Sequence, residues 1–160
     1  VTILGIDPGL ERVGYAVVQK RGSQLTSLEH GLIKTPRTET PARLAQIYEE
    51  VRALIERFKP DAVATERLFF SKNQTTAMDV AKALGVVQLA AAQAGLACTE
   101  YSPPEVKLSV VGNGAAEKPQ VEFMVVRLLG LAEPPRPDDV ADALAVAVTH
   151  ALRAGVPVAP

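Results

Sequence analysis

The sequence predicts an α/β domain built on a mixed five-stranded sheet, three antiparallel strands followed by two parallel ones, flanked by helices. Three observations carry that prediction. Val1–Ile6, Val13–Val18 and Leu25–Lys34 are runs of β-forming residues joined by short turns, as an antiparallel meander requires. From Pro41 the apolar period lengthens to the three-four spacing of amphipathic helices. Two further short strands, Asp61–Glu66 and Leu96–Tyr101, each follow a helix. A strand entered through a helical crossover runs parallel to its neighbour.

Taken in order, the first run ends by delivering Asp7 to a strand tip. Pro8 stops sheet pairing there and Gly9 opens a turn. A polar turn with Gly22 leads into the third strand, in which Gly31 marks a bulge or a close approach. Leu44, Ile47, Tyr48, Val51, Leu54, Ile55 and Phe58 line one face of a helix, with Thr40 as its N-cap and Pro60 as its stop. Asp61–Glu66 is again a buried strand ending in a carboxylate. Beside the first strand it brings Asp7 and Glu66 to one sheet edge, where open α/β sheets place their sites.

Arg67–Gln74 is a loop with two adjacent aromatics, Phe69 and Phe70, and a lysine, Lys72. Thr75–Ala94 is helical and apolar round nearly its whole circumference, so it must be buried on all sides. A second copy of the chain is expected to cover one flank, the alternative being a central position within one subunit. A charge at Leu84 or Val87 is then expected to yield monomers or insoluble chain. Pro103 and Pro104 open a helix through Val111, Gly112-Asn113-Gly114 breaks it, and a second piece runs from Glu117 to Leu129. A proline-rich linker, Pro134–Pro137, precedes a last helix, Asp138–Arg153. This element order is that of a ribonuclease-H-like domain, and residues 1–160 read as one such domain.

Composition limits the possibilities. With 48% hydrophobic and 22% charged residues the chain is not expected to be disordered. A membrane span needs about 20 consecutive apolar residues, and no such run exists. The start lacks a signal-peptide pattern and Cys98 stands alone, so a cytoplasmic, reducing location is expected. Against 17 basic residues stand 18 acidic ones, and a net charge of −1 argues against nucleic acid as a partner.

The last helix begins Asp138-Asp139-Val140-Ala141-Asp142, surrounded by Ala, Leu and Val. Residues three or four apart share a helix face, so Asp142 neighbours Asp139 or Asp138. Acids against a buried stretch are costly, and a divalent cation is a common resolution. With Asp7 and Glu66 they make four acids on three elements, a set able to hold two Mg²⁺ ions about 4 Å apart. Oxygen-only ligands suit Mg²⁺ or Mn²⁺. Each acid also has an ordinary reading: Asp138 or Asp139 as an N-cap, Asp7 as a turn cap, Glu66 as a strand end beside Arg67.

GIDPG at Gly5–Gly9 followed by GYAVV, ERLFFSKN at Glu66–Asn73, VKLSVVGNGAAEK at Val106–Lys118 and DVADALAVAVTH at Asp139–His150 resemble the RuvC family of Holliday-junction resolvases. The resemblance covers essentially the full chain. It implies a homodimeric, Mg²⁺-dependent endonuclease, with Mn²⁺ as a substitute, that cuts four-way DNA junctions by paired symmetrical nicks. A junction-binding protein and a branch-migration helicase are the partners it implies. Carried over by motif, the catalytic and metal-binding acids fall on Asp7, Glu66, Asp139 and Asp142. Asp138 remains a rival to Asp139 for the third position. Lys107 and Lys118 match lysines near the scissile phosphate, and Phe69 matches an aromatic used against unpaired bases.

With the four acids set aside the balance is 17 basic to 14 acidic residues, +3, and a local basic rim that includes Arg12, Arg67, Lys72 and Lys82 is expected. Actin-like ATPases share an Asp-x-Gly strand end, but their loops carry hydroxyls where this chain has Leu10-Glu11-Arg12. The closer rival on the same fold is a RuvC-like ribonuclease of ribosomal RNA maturation.

Overall fold

A computed structural model of the chain describes residues 1–68 and 74–154. Its first three strands, β1 (Thr2–Asp7), β2 (Arg12–Arg21) and β3 (Gln24–Lys34), form the expected antiparallel meander. The helix α1 (Thr40–Phe58) crosses over to β4 (Ala62–Glu66), and α2 (Gln74–Gln93) crosses over to β5 (Cys98–Tyr101). Both crossovers give parallel pairs, β1 with β4 and β4 with β5, so the strand order is β3-β2-β1-β4-β5. The chain continues through α3 (Pro103–Val111) and α4 (Lys118–Leu129) to α5 (Asp138–Arg153). Among the described residues no helix is long and apolar enough to cross a membrane.

The two-residue period of the strands sorts side chains between two layers. Leu4, Ile6, Val13, Val17 and Val63 face α1 and α2, where they pack on Ile47, Val51, Ala83 and Val87. Ile3, Ala16, Val18, Ala62 and Ala64 face α5, together with α3 and α4. Asp7, Gly5, Gly14 and Glu66 belong by alternation to this second face.

That face is paved with small residues because α5 lies directly on it. A Cβ on Gly5 would come within 2.3 Å of the Ala143 carbonyl oxygen and 2.7 Å of the Ala147 Cβ. One on Gly14 would come within 2.0 Å of the carbonyl oxygen of Asp139. Only residues without a Cβ permit this approach, so the two glycines set the height of α5 above the sheet.

Several details differ from the sequence expectation. The first helix begins at Thr40, but its N-cap is Glu39, without a side-chain capping bond. Gly31 is the close approach rather than the bulge: it pairs with Tyr15, whose hydroxyl would lie 2.9 Å from an added Cβ. The bulge falls at Leu28, where the β2–β3 register slips beside Val17 and Val18. Neither Asp138 nor Asp139 caps α5, because Pro137 holds the N-cap position and both acids lie in the first turn.

The apolar circumference of α2 is divided. Ala83, Leu84, Val87, Ala90 and Ala91 are buried within the protomer, whereas Met78 and Leu89 are 61% and 51% exposed. A charge at Leu84 or Val87 would therefore enter the protomer's own core, so insoluble chain from those positions would reflect the protomer and not its association. Phe69, Phe70 and Lys72 lie outside the described residues.

Candidate active site

Asp7 ends the central strand β1, and Glu66 ends its parallel neighbour β4. The register pairs Ile6 with Thr65, so Asp7 and Glu66 emerge one step further on, side by side at the carboxyl edge. From above them α5 lowers its first turns through the gap that Gly14 leaves. Asp7, Glu66 and Asp142 thereby converge, with one carboxylate oxygen from each lying within 4.8 Å of the others.

Asp139 sits one turn before Asp142 and is held differently. Its charge, close to Asp7, helps to raise that carboxyl, and its Oδ2 lies 3.4 Å from the guanidinium of Arg12. Asp138 turns away to solvent, its Oδ2 3.6 Å from the Lys118 ammonium. Of the two rivals, Asp139 is the one beside Asp7. Lys118 also donates to Asp142 at 3.3 Å. It is the first residue of α4, fixed there because the Gln120 side chain accepts the Glu117 backbone N–H at 2.8 Å. The preceding helix, which carries Lys107, starts at a full capping box between Ser102 and Glu105.

The acids occupy the floor of a groove. On one side of Glu66 a cleft of about 260 Å³ is lined by Glu66, Asp142, Lys107, Lys118, Pro103 and Val106. On the other side a cleft of similar volume is lined by Asp7, Pro8, Arg67, Leu68 and Val80. The basic residues stand on the walls and the carboxylates between them.

This arrangement leaves Asp7 without a counter-charge of its own. Burial, and then the charges of Asp142, Asp139 and Glu66, push the Asp7 carboxyl up to about 8. Burial and Asp142 raise Glu66, with Lys118 and Lys107 opposing. Burial also raises Asp142, against the pull of Lys118. For Lys118 burial acts downward, but the carboxylates of Asp142, Asp138 and Asp7 outweigh it and hold the ammonium above its ordinary value. A carboxyl that keeps its proton near neutrality for lack of a counter-charge marks a place for a cation. Three convergent carboxylates supply the hard oxygen donors that Mg²⁺ or Mn²⁺ takes. The residues fit a divalent metal.

Residues 3–150 match the protein family described as crossover junction endodeoxyribonuclease RuvC. The chain belongs to the RuvC family. Relatives named crossover junction endodeoxyribonuclease RuvC include that of Moorella thermoacetica, 57% identical over 93% of this chain and 90% of that one. Another, from Heliobacterium modesticaldum, is 50% identical over 98% of both chains. Among solved structures, Thermus thermophilus RuvC in complex with a Holliday junction substrate is 41% identical, with a TM-score of 0.90 over 96% of this chain and 94% of that one. The yeast mitochondrial Holliday junction resolvase Ydc2, 16% identical with a TM-score of 0.70 over 94% of this chain and 77% of that one, shares the fold. The RuvC resemblance and the ribonuclease-H-like sheet expected from the sequence are both borne out.

Two elements of this RuvC-family site are not evident from the residue pattern alone. The sequence marks Arg12 as part of a basic rim, whereas the structure pairs it with Asp139. The glycines of β1 and β2 carried the available signal, since a glycine inside a strand points to a close backbone approach.

Proposed function

We propose that this RuvC-family chain is a Mg²⁺-dependent endonuclease that resolves four-way DNA junctions by paired symmetrical nicks in homologous recombination and DNA repair. The observation that carries the reading is the convergence of Asp7, Glu66 and Asp142 within 4.8 Å at the carboxyl edge of the sheet. It gains support from the overall likeness to a RuvC bound to its junction.

Asp7, Glu66, Asp139 and Asp142 would hold two metal ions, with Mn²⁺ able to substitute. Divalent metal bound there supplies a water ionised near neutral pH and charge for the oxygens of an in-line phosphoryl displacement. The chain's own residues do the rest. The carboxylates fix the floor of the groove, while Lys107 and Lys118 on its wall donate to phosphate oxygens and orient the strand. Phe69 is proposed to stack on an unpaired base at the opened crossover, an interaction worth about 1–3 kcal/mol.

Two symmetrical nicks require two sites related by a twofold axis, so a homodimer is part of the proposal. Its interface is assigned to the exposed side of α2, where Met78 and Leu89 leave apolar surface in water. Leu89→Glu is expected to convert dimers to folded monomers in size-exclusion chromatography with light scattering, with little change in protomer melting. A stable dimer would refute the assignment. We place the whole of residues 1–160 in one nuclease domain acting in the cytoplasm, with a junction-binding protein and a branch-migration helicase as partners.

The test is cleavage of a synthetic four-way junction in Mg²⁺ beside linear duplex DNA and single-stranded RNA. Paired nicks confined to the junction are expected. Equal cutting of the duplex would remove the junction selectivity, and cutting of RNA alone would favour the ribosomal RNA maturation nuclease on the same fold.

A further inference from the structure

Three carboxylates of the site converge, and the fourth, beside Asp7, is engaged by a cation of the chain itself. Asp139 lies outside the Asp7–Glu66–Asp142 group, and the guanidinium of Arg12 is 3.4 Å from its Oδ2. The position of Arg12 is built in rather than incidental. It opens β2, two residues before Gly14, and alternation sets both on the sheet face that carries α5. The missing Cβ of Gly14 is what lets the Asp139 backbone down to that level.

The turn before Arg12 is fastened as well. A Cβ on Gly9 would come within 2.4 Å of the Arg12 carbonyl oxygen, so the chain folds back tightly at this point. The buried Thr35 accepts the loop from the β3 side: its Oγ1 donates to the Leu10 carbonyl at 2.6 Å and its N–H to the Glu11 carbonyl at 3.0 Å. The fold thus presents a guanidinium to the first turn of α5 on a pinned backbone, and the arginine side chain is half exposed.

We propose that Arg12 is a positioning residue that competes with metal for Asp139, so that loading of the site exchanges the Arg12–Asp139 ion pair and frees the guanidinium for the DNA backbone. The inference rests on the metal-site reading given above. In the metal-free protein Arg12 neutralises one of four crowded carboxylates and keeps it oriented. A cation that recruits Asp139 would compete with this pair for the carboxylate. The released guanidinium, on a half-exposed side chain, would then be available for bidentate contact with a phosphate. Because the exchange is an equilibrium, DNA that captures Arg12 strengthens metal binding by the same factor by which metal strengthens the DNA contact.

Titration of the full chain with Mn²⁺, followed by calorimetry and by the electron paramagnetic resonance of free Mn²⁺, tests this without any cleavage measurement. An exposed ion pair contributes about 0.2–1 kcal/mol, so Arg12→Ala is expected to tighten the weaker Mn²⁺ site by up to about fivefold. Arg12→Lys should return the affinity toward wild type. In an Asp139→Asn background, Arg12→Ala should change nothing, because the pair is already gone. Unchanged affinity in Arg12→Ala would overturn the proposal. So would an equal gain with Asp139→Asn, which would show only a general charge effect. If wild-type protein bound no Mn²⁺, the metal-site reading itself would fall, and the inference with it.

Discussion

Asp7→Asn is expected to reduce junction cutting by at least about 10³-fold while stabilising the metal-free protein at alkaline pH. The loss of cutting follows from removing a carboxylate that would hold metal, and the stabilisation from removing a buried charge. Burial, reinforced by Asp142, Asp139 and Glu66, lifts the Asp7 carboxyl from an ordinary 3.8 to about 8 in the folded chain. The folded state therefore holds this proton more tightly than the unfolded state does. The contribution of Asp7 to stability is greatest below its unfolded value and is lost as pH rises through the window from 3.8 to about 8. An asparagine stays neutral and escapes that loss.

In EDTA, Asp7→Asn should melt above wild type at pH 9, and the two should draw together as the pH falls. Added Mg²⁺ should raise the wild-type melting temperature more at pH 9 than at pH 6, where protons compete for the same oxygens. Its effect on Asp7→Asn should be much smaller. A variant that melted below wild type at pH 9 would show that Asp7 is not under electrostatic strain. Glu66→Gln and Asp142→Asn should likewise stop cutting yet leave junction binding intact. Loss of binding in all three would mean that the acids shape the protein instead of acting on the phosphate.

Gly14→Ala carries the second large effect. The new methyl would meet the Asp139 carbonyl oxygen at 2.0 Å and its Cβ at 3.1 Å. A backbone oxygen cannot swing aside as a long side chain can, so the first turn of α5 must lift. Overpacking of this kind costs about 1–3 kcal/mol. For a chain of this size each kcal/mol lowers the melting temperature by about 2–4 °C. Asp139 and Asp142 move with that turn, and a displacement of about 1 Å at a reacting centre can cost about 10²-fold in rate. Circular-dichroism melting and the junction-cutting rate together check this. A lowered melting temperature with an unchanged rate would separate the height of α5 from the chemistry.

The sheet was legible because its signals are periodic and local. Alternation identified the strands, and the helical crossovers before β4 and β5 dictated parallel pairing, which alone brings Asp7 and Glu66 to one edge. The choice between Asp138 and Asp139 was not legible from spacing. Both stand at helical distances from Asp142, and the rotation of α5 that decides between them is set by its contacts with Gly5 and Gly14, distant in sequence. The two-sidedness of α2 was hidden by its alanines, which are at home on buried and exposed faces alike. The pairing of Arg12 with Asp139 joins a hairpin to the last helix, and charge counting sees a rim where the structure has a specific ion pair.

The order of the acids along the chain has a protective consequence. Asp7 and Glu66 are synthesised early, but Asp142 arrives with α5, the last of the described elements. Until that helix has emerged and settled into the glycine-floored groove, the carboxylate group lacks a member and Asp7 has no cation site to complete. On the site reading proposed above, a chain cut short before α5 is expected to bind junctions without cutting them, since it lacks Asp139 and Asp142.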